Sequence, residues 1–227
     1  ELPVDRPRTP VRDDSGAELS ATFDAATWNA LGDLAGRHGA TMFMAVHALL
    51  AVTLVRSGAD EDVVIGTPVA GRGERDLDPL IGMFVNTLAL RSRVRRAASF
   101  TDLLDDIREI DVTALDHADL PFETVVDEVV AVRDTAHPPL VQVALAFQNA
   151  ARPTVELPGV VVSEIEAPVT TAKVDLQITV LDEPGRSPAD DTRVIVTYAT
   201  ALFDAGTVDA FVRRMTAIAR AVVDEPH

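Results

Sequence analysis

The 227-residue sequence contains no cysteine, so disulfides, thiolate nucleophiles and thiolate metal sites are excluded. No apolar run approaches the roughly 20 residues that a membrane-spanning helix needs. The longest, Met42 to Val55, is interrupted by His47 and reads as a buried helix. Positive charge is scarce: 20 Lys and Arg stand against 36 Asp and Glu, a formal net charge of -16. Such a chain repels phosphate backbones, so nucleic-acid binding is not expected, and the acidity reads as solubility. Glu1 to Pro10 is charged and proline-rich, so it is not expected to be a signal peptide, and cytoplasm is the expected location. There is no Gly-x-Ser-x-Gly elbow, P-loop or dinucleotide fingerprint. The five histidines, His38, His47, His117, His137 and His227, include no i, i+4 pair on a predicted helix and no metal spacing.

What is present describes a globular α/β chain. Hydrophobic residues make up 47% and charged residues 25%, enough to bury a sizeable core without disorder. The opening residues hold too many prolines for helix or central strand and read as an extended linker. Glu18 to Phe23 reads as a strand. Asp24 caps a helix carrying Trp28, Leu31 and Ala35 on one face, and Gly39 stops it. Thr41 caps a second helix, apolar almost all round, hence buried. Val63-Val64-Ile65 has the look of an interior strand, and Phe84 to Val94 reads as a further strand. Ser99 with Asp102 opens a helix bearing Phe100, Leu103, Leu104, Ile107, Ile110 and Ala114. Pro121 fits the first turn of a short helix. Val141 to Phe147, Val160 to Ile165, Lys173 to Leu181 and Arg193 to Tyr198 read as strands, with a solvated turn around Pro184-Gly185. Asp204 caps a final helix. Interleaved helices and strands predict a mixed sheet flanked by helices.

None of these residues forms a recognisable catalytic set. His47, inside an apolar helix, reads as a hydrogen-bonded core residue, and His117 as a loop residue beside Asp116 and Asp119. Paired carboxylates such as Asp13-Asp14 and Asp105-Asp106 are explained by solvation. Arg91, Arg93 and Arg95 fall on alternate residues, with Arg96 beside them. They form either a solvated edge strand or a dock for an acidic partner.

Two segments carry a resemblance. Asp62-Val63-Val64-Ile65-Gly66-Thr67-Pro68-Val69-Ala70-Gly71-Arg72, followed by Ile81-Gly82-Met83-Phe84-Val85-Asn86-Thr87-Leu88, resembles the fifth core motif of nonribosomal peptide synthetase condensation domains. His117-Ala118-Asp119-Leu120-Pro121-Phe122-Glu123 is similar to the sixth. The opening Leu2-Pro3-x-Asp5-Arg6-Pro7 resembles the segment joining the family's two lobes, and Tyr198 to Asp204 its last strand-to-helix turn. Arg133 to Leu140 keeps only the ends of the seventh motif. The family's hallmark His-His-x-x-x-Asp-Gly belongs to the amino-terminal lobe, and this sequence has no adjacent histidines.

The resemblance implies one lobe of a chloramphenicol acetyltransferase-like fold: residues 1–16 an inter-lobe linker, and 17–227 a carboxy-terminal lobe, excised from its catalytic partner. In the family an active-site tunnel between lobes receives donor and acceptor thioesters on phosphopantetheine arms. The implied partners are the amino-terminal lobe, two carrier proteins and a neighbouring adenylation domain, with no cofactor bound by this chain. The acceptor amine attacks the donor thioester, helped by the hallmark's second histidine. Lacking that base, the chain is expected to be inactive alone. Asn86 and Asn149 are candidate tunnel-lining amides, and Arg56 and Arg72 are candidate partners for the hallmark aspartate across the lobe interface. Alternatives are the lobe of an epimerisation domain, ranked lower because of the Phe84-Val85-Asn86-Thr87 string, or of a non-catalytic module that recruits a tailoring oxygenase.

Overall fold

A computed structural model describes residues 2–72, 75–77, 79–131, 134–149, 157, 159–160, 162–163, 165, 169–182 and 184–225, the side chain of Arg75 aside. Arg133 and His227 therefore lie outside the described residues. In chain order the elements are β1 (Gly16–Phe23), α1 (Ala25–Arg37), α2 (Met42–Arg56), β2 (Asp62–Val69), β3 (Asn86–Arg93), α3 (Phe100–Asp116), α4 (Phe122–Val129), β4 (Val143–Gln148), β5 (Leu176–Leu181), β6 (Thr192–Ala199) and α5 (Ala205–Asp224).

The strands form one mixed sheet in the order β1-β6-β5-β4-β2-β3. β4 runs parallel to β2 and β5, and the remaining neighbours are antiparallel. The carboxyl ends of β1, β2, β4 and β5 therefore share one end of the sheet. The turn from Asp182 to Asp191 and the segments after β2 and β4 leave from that end.

The period-2 alternation sorts the strand residues between two faces. Ile65, Leu145, Ile178, Val194 and Val196 are buried on one face, in one apolar cluster with α1, α2, α3 and α5. The other face carries short or polar side chains such as Ser20, Thr197, Thr179, Ala144 and Gly66. α2 is the central helix. Val46, Leu49 and Leu50 have no exposure, and burial of each side chain of this size contributes about 1.5–3 kcal/mol. It starts as expected: the Thr41 hydroxyl accepts the Met44 N–H. Asp24 and Ser99 cap α1 and α3 in the same way.

Several elements differ from expectation. β2 lies one strand in from an edge rather than at the centre. β3 starts at Asn86, two residues later than read. Pro121 is the N-cap of α4, not its first helical residue. Residues 160–165 form no strand among the described residues; Val160 makes a lone bridge to Leu157, and Ile165 is 86% exposed. Their apolar alternation has no sheet edge to pair with.

The opening segment is extended but tied down. The Asp5 and Arg6 N–H groups donate to the Leu202 carbonyl. The Arg6 guanidinium reaches the Thr200 and Ala201 carbonyls and Asp204. Arg8 pairs with the fully buried Asp175 at 2.6 Å. Asp204 is the N-cap of α5 as expected, but its side chain accepts no helix N–H; the Asp5 carboxylate braces the turn, accepting the Asp204 N–H at 2.8 Å and the Thr207 hydroxyl at 3.0 Å.

Candidate functional site

The two motif segments meet at the sheet end where β4 stops. Asn86, first residue of β3, donates both amide hydrogens, to the Ala118 and Leu120 carbonyls, each at 2.8 Å. Its side-chain oxygen accepts the Phe122 N–H at 3.1 Å, the first N–H of α4. One amide thus fastens the loop between α3 and α4 to the start of β3.

The loop before Asn86 is organised by Arg72. Its guanidinium donates to the Leu77 and Leu80 carbonyls and stacks over the Phe84 ring at 4.2 Å. Gly71 adopts φ +61°, and a Cβ there would lie 1.8 Å from the Phe84 carbonyl oxygen, so only glycine fits. The tight turn throws apolar side chains outward: Ile81 and Met83 are 104% and 88% exposed. Leu115 at the end of α3 and Leu120 in the loop that Asn86 holds are also about half exposed. Exposure of this kind marks an interaction surface.

Asn149 follows β4 at the same end. It is exposed and makes no hydrogen bond among the described residues. It borders a cavity of about 440 Å³ between the α2 start, the α3 end and the strand ends. Phe43, Phe147, Leu88 and Leu90 supply apolar wall, and Asp111 and Asp182 the acidic groups. The two asparagines therefore differ: the Asn86 amide is fully engaged in backbone contacts, whereas that of Asn149 is open.

Arg56 lies elsewhere. It ends α2, near the start of β2, at the opposite end of the β2–β3 hairpin from Asn86. It is exposed, has no ion pair among the described residues, and lines a groove of about 630 Å³ with Arg95, Arg96 and Arg214. Three arginines of the β3 patch are engaged. Arg91 grips Asp62 through two bonds of 2.9 and 2.6 Å, which hold the Asp62 carboxyl below its ordinary value. Arg95 meets Asp106 and Arg96 meets Glu61.

Three of the described histidines have side-chain partners, and the His117 ring is exposed without one. His47 is fully buried and bonded to Asp111 at 2.9 Å. His38 pairs with Asp105 and His137 with Asp134, and His117 is the exposed C-cap of α3. The turn at Pro184-Gly185 is held back against α1: Asn29 donates to the Pro188 carbonyl, and Arg186 reaches the Asn29 side chain. Among the described residues no single helix is long and apolar enough to cross a membrane.

Sequence reasoning missed Asp111 as a cavity wall. A signal exists: Leu104, Ile107 and Asp111 share the buried stripe of α3, and a carboxylate there needs a partner.

The condensation-domain family model matches residues 1–227. The chain is 40% identical over 228 residues to the phosphinothricin tripeptide synthetase PhsC of Streptomyces viridochromogenes, covering 100% of this chain and 20% of that protein. It is 39% identical to malpibaldin synthetase of Mortierella alpina over 98% of the chain and 4% of the relative. Among solved structures, the X-domain from teicoplanin biosynthesis superposes with a TM-score of 0.91 at 26% identity, over 100% of this chain and 51% of that one. An X-domain was also solved in complex with OxyB. The chain thus spans a fifth or less of the two synthetases and about half of the X-domain.

Proposed function

This chain belongs to the condensation-domain family, and we propose that it serves as the carboxy-terminal lobe of a domain that forms amide bonds between carrier-bound aminoacyl or peptidyl thioesters. One observation carries this reading: the Asn86 amide joins the fifth-motif strand to the sixth-motif loop at 2.8 Å, beside the cavity that Asn149 borders. A single end of the sheet thereby gathers both motif segments, an open amide and the exposed apolar loop.

In this role the lobe supplies a wall. Attack of an amine on a thioester develops an oxyanion, which polar N–H groups stabilise when they are already in place. Asn149 has such a group uncommitted, while Asn86 shapes the wall from behind. The general base is assigned to the hallmark histidine of the other lobe: His38, His47 and His137 are paired, and the exposed His117 ring has no polar partner among the described residues to orient it. The phosphopantetheine arms enter as substrate, carried by donor and acceptor carrier proteins, with an adenylation domain as neighbour in the synthetase.

Of the two arginines considered for a bridge to the other lobe, Arg56 is assigned the contact, since Arg72 is engaged within its own loop. That bridge joins the hallmark aspartate of the other lobe to the end of α2 and fastens the lobe junction. The test is condensation by an intact domain carrying this lobe with loaded carrier proteins. Asn149→Ala should lower the rate about 10–1000-fold if the amide meets developing charge; an unchanged rate overturns the assignment.

A second reading rests on the X-domain likeness: a recruitment module that binds a tailoring oxygenase. It predicts stable association with that oxygenase, and no loss of association in Asn149→Ala.

A further inference from the structure

We propose that the cavity between α2, α3 and the strand ends is a subsite for an alkyl amine, whose ammonium is received by Asp111. Asp111 lies on the buried stripe of α3 and is 1% exposed, yet it lines the cavity. Its Oδ1 meets His47 Nδ1 at 2.9 Å, while its Oδ2 has no partner; His47 Nε2 has none either. Neither protonation state of the imidazole completes the pair. A neutral ring donating from Nδ1 leaves a buried negative charge with an open acceptor. A protonated ring balances the charge but leaves an Nε2–H with nowhere to donate. Buried polar atoms are normally satisfied, so an orphaned carboxylate oxygen on a residue that lines a cavity points to a donor from outside the chain.

The rest of the cavity selects the donor. No lysine or arginine lines it among the described residues, so the charge beside it is negative. The Phe43 and Phe147 rings stand edge to face at 6.3 Å, and Met42, Met44 and Leu115 complete an apolar wall. Aromatic faces attract cations, and methionines adapt to an alkyl chain. Apolar walls with one buried carboxylate suit a short alkyl chain ending in an ammonium, and disfavour a carboxylate of the same length. Asn149 and Asp182 border the cavity, and Asp182 is engaged by Arg186 at 3.4 Å. That the amine belongs to a substrate side chain rests on the tunnel-wall reading above; the binding itself does not.

The test titrates the 227-residue chain with n-pentylammonium, n-pentanol and hexanoate, followed by calorimetry and NMR. The expected result is ammonium affinity at least tenfold above that of pentanol, with hexanoate not binding. Asp111→Asn should bring the ammonium and the alcohol to parity. Leu115→Trp, at a half-exposed position on the wall, should fill the cavity and abolish binding while circular dichroism stays native. Should Asp111→Asn not fold, Leu115→Trp and the pentanol comparison decide. Equal affinity for alcohol and ammonium means that buried water satisfies Asp111, which overturns the proposal. Ammonium binding unchanged by Leu115→Trp also overturns it. Condensation insensitive to Asn149→Ala, with ammonium selectivity intact, overturns only the tunnel-wall reading. Lost selectivity with Asn149-dependent condensation overturns only this one.

Discussion

The side-chain oxygen of Asn86 accepts the backbone N–H of Phe122 at 3.1 Å across 36 residues of sequence, while its amide nitrogen holds two carbonyls of the same loop. The loop between α3 and α4 therefore takes its position from β3. Asn86→Ala strands one N–H and two carbonyls, and we expect a loss of about 1–3 kcal/mol in urea unfolding. Amide exchange should rise first in α4. Asn86→Asp keeps the acceptor but removes both donors, so it should remain well below the native protein.

α5 depends on a residue 200 positions upstream. Asp5 accepts the Asp204 N–H and the Thr207 hydroxyl, whereas the Asp204 carboxylate pairs with Arg6. Asp5→Ala removes two hydrogen bonds to a carboxylate and should cost about 1–3 kcal/mol. The exposed Arg6–Asp204 pair should contribute less, so Asp204→Ala is the milder variant. Thermal unfolding of the two single variants ranks them, and the reverse order would show that the Asp204 ion pair outweighs the Asp5 contacts.

How much was legible follows from these contacts. Asp24, Thr41 and Ser99 cap helices from within their own segments, and sequence-local rules find such caps. Asp204 takes the N-cap position that the same rule gives it, yet its carboxylate pairs with Arg6 instead of a helix N–H, and the turn is braced by Asp5, a long-range arrangement that no local pattern carries. The strands with buried alternation, such as Val143 and Leu145, were readable; the 160–165 segment alternates equally well but forms no strand among the described residues. The motifs named the right end of the sheet, but which asparagine is engaged and which is open depends on the fold. Asp111 was visible only as a charge on an apolar stripe.

Acid sensitivity should involve Asp24. The Thr27 backbone N–H, and then its hydroxyl, hold the Asp24 carboxyl below its ordinary value of 3.8, with Arg220 adding less. The folded state therefore binds this proton less tightly than the unfolded chain. The contribution is fully present above 3.8 and is lost as pH falls toward the lowered folded value. Asp24→Asn keeps a capping oxygen but cannot titrate there. The native protein should lose stability more steeply than this variant between about pH 5 and about pH 2.5. Parallel curves would remove Asp24 from the account.

Arg56 and Arg72 should separate cleanly in the chain studied alone. Arg56 makes no ion pair among the described residues, so Arg56→Ala should leave stability within about 0.5 kcal/mol of native. In an intact domain the same change should weaken the lobe junction and lower condensation, with Arg56→Lys only a partial rescue because lysine lacks the bidentate fork. Arg72→Ala removes bonds to the Leu77 and Leu80 carbonyls and the stack on Phe84. It should loosen its loop even without a partner, seen as faster proteolysis there. Full condensation activity in Arg56→Ala would end its assignment to the junction.

The loop that Arg72 organises also hangs on Gly71, and two glycines allow that dependence to be measured. Gly71 and Gly185 both have positive φ, +61° and +87°, so alanine is strained at each. They differ in surroundings. At Gly185 a Cβ meets nothing within 4 Å, whereas at Gly71 it would sit 1.8 Å from the Phe84 carbonyl oxygen. Gly185→Ala should therefore cost only the left-handed backbone penalty, about 1–2 kcal/mol. Gly71→Ala carries the same penalty and must also push the Phe84 backbone away, breaking the stack of Arg72 on the ring. The predicted signature is local. Exchange of the described amides around Gly82 to Asn86 should rise sharply in Gly71→Ala and stay native in Gly185→Ala. Because Asn86 begins at the end of that loop, the two contacts to Ala118 and Leu120 should weaken with it, exposing the α4 amides in turn. If both glycine variants behave alike, the close approach of Phe84 does not govern the loop, and its shape must come from Arg72 alone.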